Sequence, residues 1–541
     1  MSKTILRVAA AMVTVAAMTC AAAAPAQAQQ AATVEARSAP GGVAVTWRLA
    51  EPTTRVAFLN QNIVRTEWTV TTPGLTLTDG AVEGEAPFQT FEILIRPDTT
   101  ERDRGYVALA QIGSGSILYG PAVALRGMDA ELTARPAAGE TALPMTKAER
   151  GSVYLGPQSQ VETYPGARLA IGKTVSPTLA GIMRDGFFAA QAFFGARLGR
   201  DLPYEPVLLV TTDSPGPVDF RGDVSDSGVI STRFHGAVWD EPPAHVAAGL
   251  ATFVWHETFH LWNGHRLENR DGEAAPWLHE GAAEYGAWAA AVSTGAVTET
   301  AAHEALSQRL NGCRKALGDR DYDPARLRSG SAVYDCGTVV QWLADLETRQ
   351  ASSGARDVFH LWKDILDQGM AGDGYGVAEF RARPEGERAV ALLMDGPGAT
   401  RWDGVAARLA ALGVTLEEKP SSDEYRAAAL FHLNGENCSG GSTGFYRTEQ
   451  GVRLDTGDKC AALSGDPLLA KVEGHDPMTD ATAMFFAVQA RCAAASPVRF
   501  TTQEGGGDRG EVRPSSGRAS GLQRYGRPAA GDAGAVIAGK S

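Results

Sequence analysis

The sequence is poor in the residues that bind metals through sulfur and in the charges that bind polyanions. It contains six cysteines in 541 residues, and no two of them have the CxxC spacing of a cysteine zinc site. Acidic residues outnumber basic residues, 63 to 50, and no basic patch interrupts them. These features exclude a cysteine-ligated zinc site of that kind and argue against nucleic acid or an anionic membrane as the principal partner.

Hydrophobic runs of membrane-spanning length are also missing. Hydrophobic residues make up 44% of the chain and charged residues 21%, proportions that are typical of soluble globular proteins. The length of the chain predicts three or four domains, because a single core does not grow to this size. No repeat of about 20 to 50 residues indicates a solenoid.

The N-terminal segment has the pattern of an export signal. Lys3 and Arg7 precede an alanine-rich apolar run that ends in AQA at Ala28. The shortness of this run argues against an uncleaved membrane anchor, and the residues before Cys20 are a poor match to a lipoprotein signal. We therefore predict a signal peptide at 1–28 and a periplasmic or extracellular protein without a membrane span in the mature chain.

Five cysteines follow the predicted signal, and an oxidising compartment permits them to form disulfides. Their clustering along the chain predicts a bond between Cys313 and Cys336. It also predicts one bond among Cys438, Cys460 and Cys492, which leaves one free thiol.

The stretch WHETFHLWNGHRL places His256 and His260 four residues apart, with Glu257 directly after the first histidine. Two histidines at this spacing lie on one face of a helix and can bind a single ion, while the glutamate points beside that ion. A catalytic zinc takes three protein ligands and keeps its fourth position for water. The motif therefore requires a third ligand further along the chain.

The stretch WLHEGAAEY offers this third ligand on the next predicted helix. Glu280 lies twenty residues after His260, and Glu284, one turn later, can hydrogen-bond a ligating histidine from outside. His279 is a rival ligand, but neighbouring helix positions differ by about 100°, so one of the two side chains turns away from the metal. Carboxylate chemistry favours Glu280 as the ligand.

Together, HETFHLWN and WLHEGAAEY resemble the gluzincin clan of metallopeptidases. The pattern HExFHxWNxxR narrows the resemblance to the glycyl aminopeptidase family (metallopeptidase family sixty-one), PDZ-bearing zinc peptidases related to aminopeptidase N. The resemblance implies that His256, His260 and Glu280 bind one Zn²⁺ ion per chain. It also implies that Glu257 is the general base and that the substrate is a peptide or protein.

The same resemblance implies a catalytic tyrosine in a YxKG-like context. VYDCG supplies Tyr334, fifty-four residues after Glu280, as the donor to the oxyanion of the reaction. Cys336 replaces the family's lysine, and a disulfide to Cys313 would fix the tyrosine's helix instead. The missing lysine favours an alternative reading, in which a peptidase scaffold binds partners with little or no turnover.

The resemblance also implies a glycine-rich strand whose glutamate anchors the substrate's free amine. The equivalent stretch, FRGDVSDSGVIST, lacks that glutamate. Asp223 or Asp226 would have to take its place, or the stretch is a surface loop. An aminopeptidase is favoured by the resemblance, and an endopeptidase remains the alternative.

Near the C-terminus, GSTGFY, LLAKVEG and MFFAVQARC resemble the order of elements in a PDZ domain. In such a domain, backbone N–H groups near Gly444 and Phe445 would bind a C-terminal peptide by strand addition. The alternative is a small disulfide-containing β domain without a ligand.

The predicted fold class is multidomain α+β. Alternating runs such as GVAVTWRL predict β-structure at the N-terminus, helical periodicity begins near Ser176, and the last residues have the composition of a disordered tail. With the resemblance, the predicted parts are a signal peptide (1–28), an N-terminal β-sandwich-like domain (29–150), a thermolysin-like α/β catalytic domain (151–298), an α-helical domain (299–420), a PDZ-like β domain (421–503) and a disordered tail (504–541).

Overall fold

The computed structural model describes residues 30–98, 106–144, 151–200, 202–213, 219–224, 228–242, 244–417, 420, 422–438, 444–448, 450–457, 460, 462–503, 509–512 and 527–528. The predicted signal peptide lies outside these residues. Over the described residues the protein is a multidomain α+β structure, as the sequence predicts. No helix in this part of the chain is both long enough and apolar enough to cross a membrane.

Two larger sheets and one two-stranded sheet form the described N-terminal region. Their elements are β1 (Gln30–Ala39), β2 (Gly42–Ala57), β3 (Ile63–Val64), β4 (Trp68–Val70), β5 (Leu75–Thr78), β6 (Ala81–Ile95), β7 (Tyr106–Val107), β8 (Leu109–Ile112), β9 (Gly115–Tyr119), α1 (Gly120–Val123), β10 (Met128–Arg135), β11 (Glu140–Leu143) and β12 (Ser152–Pro157). The first sheet has the order β10-β1-β2-β6-β4 with β5 beside β6, the second has the order β11-β12-β9-β8, and β3 pairs with β7. The rings of Trp47 on β2 and Phe91 on β6 stack with their centroids 4.7 Å apart in the hydrophobic core of this region.

A mixed sheet with helices on one face follows. Its elements are β13 (Val161–Tyr164), β14 (Ala167–Ile171), α2 (Pro177–Leu198), β15 (Val207–Asp213), β16 (Asp219–Val224), β17 (Val229–His235), α3 (Ala244–His260), a π-helical segment (Leu261–Arg266) and α4 (Pro276–Ser293). The order is β13-β14-β15-β17-β16, with parallel pairs at the centre and antiparallel pairs at both edges. The central run VLLV of β15 is fully buried because α2 and α3 cover one face and the second N-terminal sheet covers the other.

The helical region contains α5 (Glu299–Leu317), α6 (Ser331–Ala351), α7 (Val358–Met370), α8 (Val377–Arg381), α9 (Pro384–Val390), α10 (Arg401–Ala411) and the short strand β18 (Leu416–Glu417). These helices share one hydrophobic core with α3 and α4. Trp255 and Trp262 from the α3 end and Trp342 and Trp362 from α6 and α7 are all buried in it. The predicted boundary at residue 298 therefore falls inside a single core.

The C-terminal region has a separate core of its own. It contains α11 (Ser422–Asn437), β19 (Gly444–Thr448), β20 (Gly451–Asp455), β21 (Leu468–Val472), α12 (Ala481–Ala493), β22 (Val498–Thr502), β23 (Arg509–Val512) and β24 (Arg527–Pro528). Strands β19 to β23 form an antiparallel sheet in sequence order, and β24 pairs with β18. The stretch predicted as a disordered tail thus contributes two strands. Val512 explains the first of them, because its side chain is buried in this core.

Two disulfides are present among the residues that the structure describes, in agreement with the sequence prediction. Cys313 and Cys336 join α5 to α6. Cys438 and Cys460 form the second bond, so the one of the last three cysteines that is outside a disulfide is the buried Cys492.

Candidate metal centre

The rotation of α3 is fixed by its apolar residues. Trp255 and Phe259 are buried and contact the ring of Phe194 on α2 edge to face, with centroids 5.6 and 5.1 Å away. Because these side chains face α2, His256 and His260 are presented to α4 on another face of the helix. Both histidines are buried, at 7% and 4% exposure.

Three donor atoms converge between α3 and α4. The Nε2 atoms of His256 and His260 are 3.1 Å apart. One oxygen of Glu280, Oε2, lies 3.2 Å from the first of these nitrogens and 3.4 Å from the second. The structure therefore brings the three predicted zinc ligands to one point, and the same three residues form a group that can hold a metal ion.

These spacings fit a zinc ion. Zn²⁺ binds histidine nitrogen and carboxylate oxygen at about 2.0 to 2.2 Å, so donors at the corners of a tetrahedron lie about 3.3 to 3.6 Å apart. The three observed separations, 3.1, 3.2 and 3.4 Å, are within a few tenths of an ångström of this edge length. Two imidazoles and one carboxylate are also a donor set that zinc accepts.

Each histidine has a partner behind it. The Nδ1 atom of His260 lies 3.0 Å from Oδ1 of Asn263, whose amide group donates to the backbone carbonyl of His279 at 2.9 Å. The Nδ1 atom of His256 lies 3.2 Å from Oε2 of Glu284, at ion-pair distance but without the alignment of a hydrogen bond. Such outer partners fix the orientation of a ligating imidazole.

The sequence motifs do not predict the role of Asn263 as a partner of His260, although its spacing from His260 is informative. It follows His260 by three residues, a spacing that places two side chains near each other on a helix. It lies in the π-helical segment directly after α3, where the helix changes its hydrogen-bonding pattern.

The helix α6 brings Tyr334 to the same site. Its ring lies 5.9 Å from that of His256. Helices α4 and α6 approach closely where Gly281 meets Gly337, and a Cβ on either glycine would overlap the other backbone. This crossing follows Glu280 by one residue and Tyr334 by three, so the two glycines set the distance between the carboxylate and the phenol.

The electrostatics of the cluster are dominated by its acids. Burial opposes the charged imidazole, but Glu280, Glu284 and Glu257 outweigh it and raise the pKa of His256 to about 10. Burial likewise opposes ionisation of Glu280, yet the two histidines lower the pKa of its carboxyl far below the usual range. Burial, with the charges of Glu280 and Glu257, raises the pKa of Tyr334 to about 12, so its hydroxyl keeps its proton.

His279, the rival ligand, points elsewhere. Its ring stacks on that of His260 with centroids 4.2 Å apart, and its Nδ1 atom lies 3.1 Å from the carbonyl oxygen of Asn263. Burial and the neighbouring His260 lower the pKa of His279 to about 3, which keeps the ring neutral.

Of the residues predicted to contact the substrate, Asp223 lies on the edge strand β16, which packs against α3. Asp226 lies outside the described residues. Gly444 and Phe445 begin β19, while most of the glycine-rich stretch before them also lies outside.

Comparison with solved structures identifies the overall fold. An aminopeptidase N family protein from Idiomarina loihiensis matches with a TM-score of 0.58 and 11% identity over 94% of this chain and 100% of that chain. Yeast LTA4 hydrolase in complex with bestatin has a TM-score of 0.37 and 11% identity over 75% and 72% of the two chains. No family model and no curated sequence matches. The first similarity shows that this chain has the fold of an aminopeptidase N family protein.

Proposed function

We propose that this chain is an exported, zinc-dependent metallopeptidase that cleaves peptide bonds. The observation that carries the proposal is the convergence of His256, His260 and Glu280 at tetrahedral spacing. The fold shared with an aminopeptidase N family protein supports it. Export is supported by the two disulfides, because such bonds persist in oxidising compartments.

A zinc ion held by these three residues would polarise the scissile carbonyl and lower the pKa of a coordinated water to about 7. We assign to Glu257 the role of acting on that water. It follows His256 on α3, is partly exposed, and is near enough to His256 and Tyr334 to raise the pKa of both. Its carboxylate accepts the proton of the attacking water and delivers it to the leaving amine.

Tyr334 supplies a hydrogen bond to the oxyanion that forms at the attacked carbonyl. Its phenol can donate because its pKa is raised to about 12 by burial and by the surrounding carboxylates. Loss of one such donor costs about 3 to 4 kcal/mol in other enzymes. We therefore expect Tyr334→Phe to lower kcat by a factor of about 10² to 10³ with little change in zinc content.

The central experiment compares zinc content and turnover. Wild-type protein should hold one zinc per chain and cleave fluorogenic peptides until a chelator removes the metal. Glu257→Gln should keep the zinc and lose turnover by a factor of about 10² to 10⁴, because the amide cannot take the proton. Glu85→Gln, on the exposed part of β6, is the matched control and should behave as wild type. Unchanged hydrolysis in Glu257→Gln would remove the proposed base.

The finer assignment is an aminopeptidase similar to the glycyl aminopeptidase family, with a PDZ-like end that binds a C-terminal peptide. Comparing one peptide with a free and with an acetylated N-terminus decides between an aminopeptidase and an endopeptidase. A peptide-binding assay on the full chain, with peptides carrying a free or amidated C-terminus, tests the PDZ-like part. Zinc binding without cleavage of any peptide in a library would instead favour the binding-protein alternative.

A further inference from the structure

Arg309, on α5, lies between two carboxylates from two other helices. Its NH2 and Nε atoms donate to Oε1 of Glu284 at 2.6 and 3.1 Å. Its NH1 atom donates to Oδ1 of Asp335 at 3.0 Å. Both carboxylate side chains are largely buried, at 14% and 10% exposure, so these charge-assisted hydrogen bonds are shielded from water.

The two oxygens of Glu284 have different partners. Oε1 accepts both hydrogen bonds from Arg309 and a third from Nε1 of Trp288 at 3.2 Å, while Oε2 lies 3.2 Å from Nδ1 of His256. The opposite nitrogen of that imidazole is one of the three donors of the metal site. A continuous line of polar contacts therefore runs from the guanidinium of Arg309 through Glu284 to His256.

The Arg309 end of this line of polar contacts is held in place by contacts between α5 and α6. Asp335 and the disulfide between Cys313 and Cys336 tie α5 to α6 within one turn of Arg309. The helices are close enough there that a Cβ on Gly312 would overlap the Asp335 carboxylate. The guanidinium is thus fixed by the packing of two helices.

We infer that Arg309 is a positioning residue for zinc, which holds the Glu284 carboxylate in the orientation that fixes the ligand His256. The inference rests on the proposed function in that the site must bind zinc, but it does not require that the protein cleave peptides. Without the two hydrogen bonds from Arg309, the Glu284 carboxylate keeps only one neutral donor on Oε1, the Nε1 atom of Trp288. The carboxylate is then less constrained, and it orients the imidazole less well.

A purely structural role would be shared by any arginine that neutralises a buried carboxylate. Arg408, on α10, gives the matched control. It pairs with Glu347, an α6 carboxylate of 3% exposure that is not part of the metal site. Arg408→Met leaves Glu347 its second partner, Arg388, so it should destabilise the fold no more than Arg309→Met does and leave zinc binding unchanged.

The experiment measures the zinc dissociation constant of the full chain by competition with a chromophoric chelator. Arg309→Met should raise this constant by about 10- to 100-fold, the effect typical of outer-partner mutations. Arg309→Lys keeps the charge and loses the planar fork, so we expect a smaller increase, and this variant remains informative if the methionine variant does not fold. Wild-type affinity in both Arg309 variants would overturn the inference.

A double-mutant cycle tests the route through Glu284. In a Glu284→Gln background, Arg309→Met should change the zinc dissociation constant by less than about twofold, because the intermediate carboxylate is gone. An undiminished effect in that background would show that Arg309 acts by another route and would contradict the inference. If the wild-type protein cleaves no peptide, the proposed peptidase activity is wrong. The two measurements of zinc affinity would still decide whether Arg309 acts through Glu284.

Discussion

The two disulfide-bearing regions of this protein differ in what surrounds the same covalent bond. The bonds close stretches of nearly equal length, with sequence separations of 23 for Cys313–Cys336 and 22 for Cys438–Cys460. The first joins α5 to α6 in the core that carries the metal-site helices. The second belongs to the C-terminal region, which has its own core. Because only the first bond borders the candidate metal site, we expect only this bond to influence the chemistry there.

The largest difference between the two regions should appear when the metal site is removed. Glu280→Ala leaves two protein ligands, so zinc binding and turnover should be lost. Zinc at a free concentration a thousand times its dissociation constant stabilises a folded protein by about 4 kcal/mol, and this stabilisation disappears in the variant. Hydrogen exchange should speed up in α3, α4 and α6 and stay unchanged in β19 to β22. Equal changes in both regions would contradict their independence.

Removing each disulfide separately tests the comparison directly. Closing a stretch of about 23 residues stabilises by about 3 kcal/mol in the chain-entropy description, so both double serine variants should lose a similar amount in chemical denaturation. We expect kcat to fall for Cys313→Ser with Cys336→Ser, because Tyr334 and Arg309 lie beside this bond. The pair Cys438→Ser with Cys460→Ser should keep wild-type kcat. A loss of kcat in the second pair would show coupling between the regions.

The glycine crossing of α4 and α6 gives a smaller effect. Gly337→Ala inserts a methyl group where the backbone of Gly281 already lies, and such overpacking costs about 1 to 3 kcal/mol. It should also lower kcat by moving Tyr334 away from Glu280. Gly249→Ala on α3 is the control, because nothing lies within 4 Å of its Cβ position. This variant should gain up to about 1 kcal/mol in the free energy of unfolding.

The smallest effect is a proton count. Without metal, the acids around His256 raise its pKa to about 10, so its imidazole is protonated at pH 8. Zinc requires the neutral ring, and binding at pH 8 should therefore release about one proton from this residue. Zinc affinity should weaken as the pH falls below 10. Calorimetry in buffers of different ionisation enthalpy measures the number, and His432→Gln in the C-terminal region should leave it unchanged.

The donor set of the candidate site could be predicted because it depends on helix periodicity. The four-residue spacing of His256 and His260 places both on one face, and the next amphipathic helix had to present either His279 or Glu280. The structure brings Glu280 to the imidazoles and stacks His279 on one of them. Arg309 could not be predicted, since its position beside Glu284 results from the packing of α5 and leaves no local pattern.

Fold class was predictable from alternation and periodicity, but the extent of each core was not. The sequence indicates a change from helices of the metal site to further helices near residue 299, and the structure packs both sets around the same tryptophans. Composition also predicts a tail from residue 504, yet four residues within it pair with β22. A short strand is stabilised by pairing with another strand. Local composition does not show whether such a partner is available.

The strand β23 determines where this protein can be shortened at its C-terminal end. It covers β22 through the pairs from Val498 with Val512 to Thr501 with Arg509. A protein shortened after residue 503 would leave the N–H and C=O groups on that side of β22 without partners, and such an open edge invites sheet-to-sheet aggregation. Recombinant versions designed to avoid this aggregation should therefore extend at least through Val512.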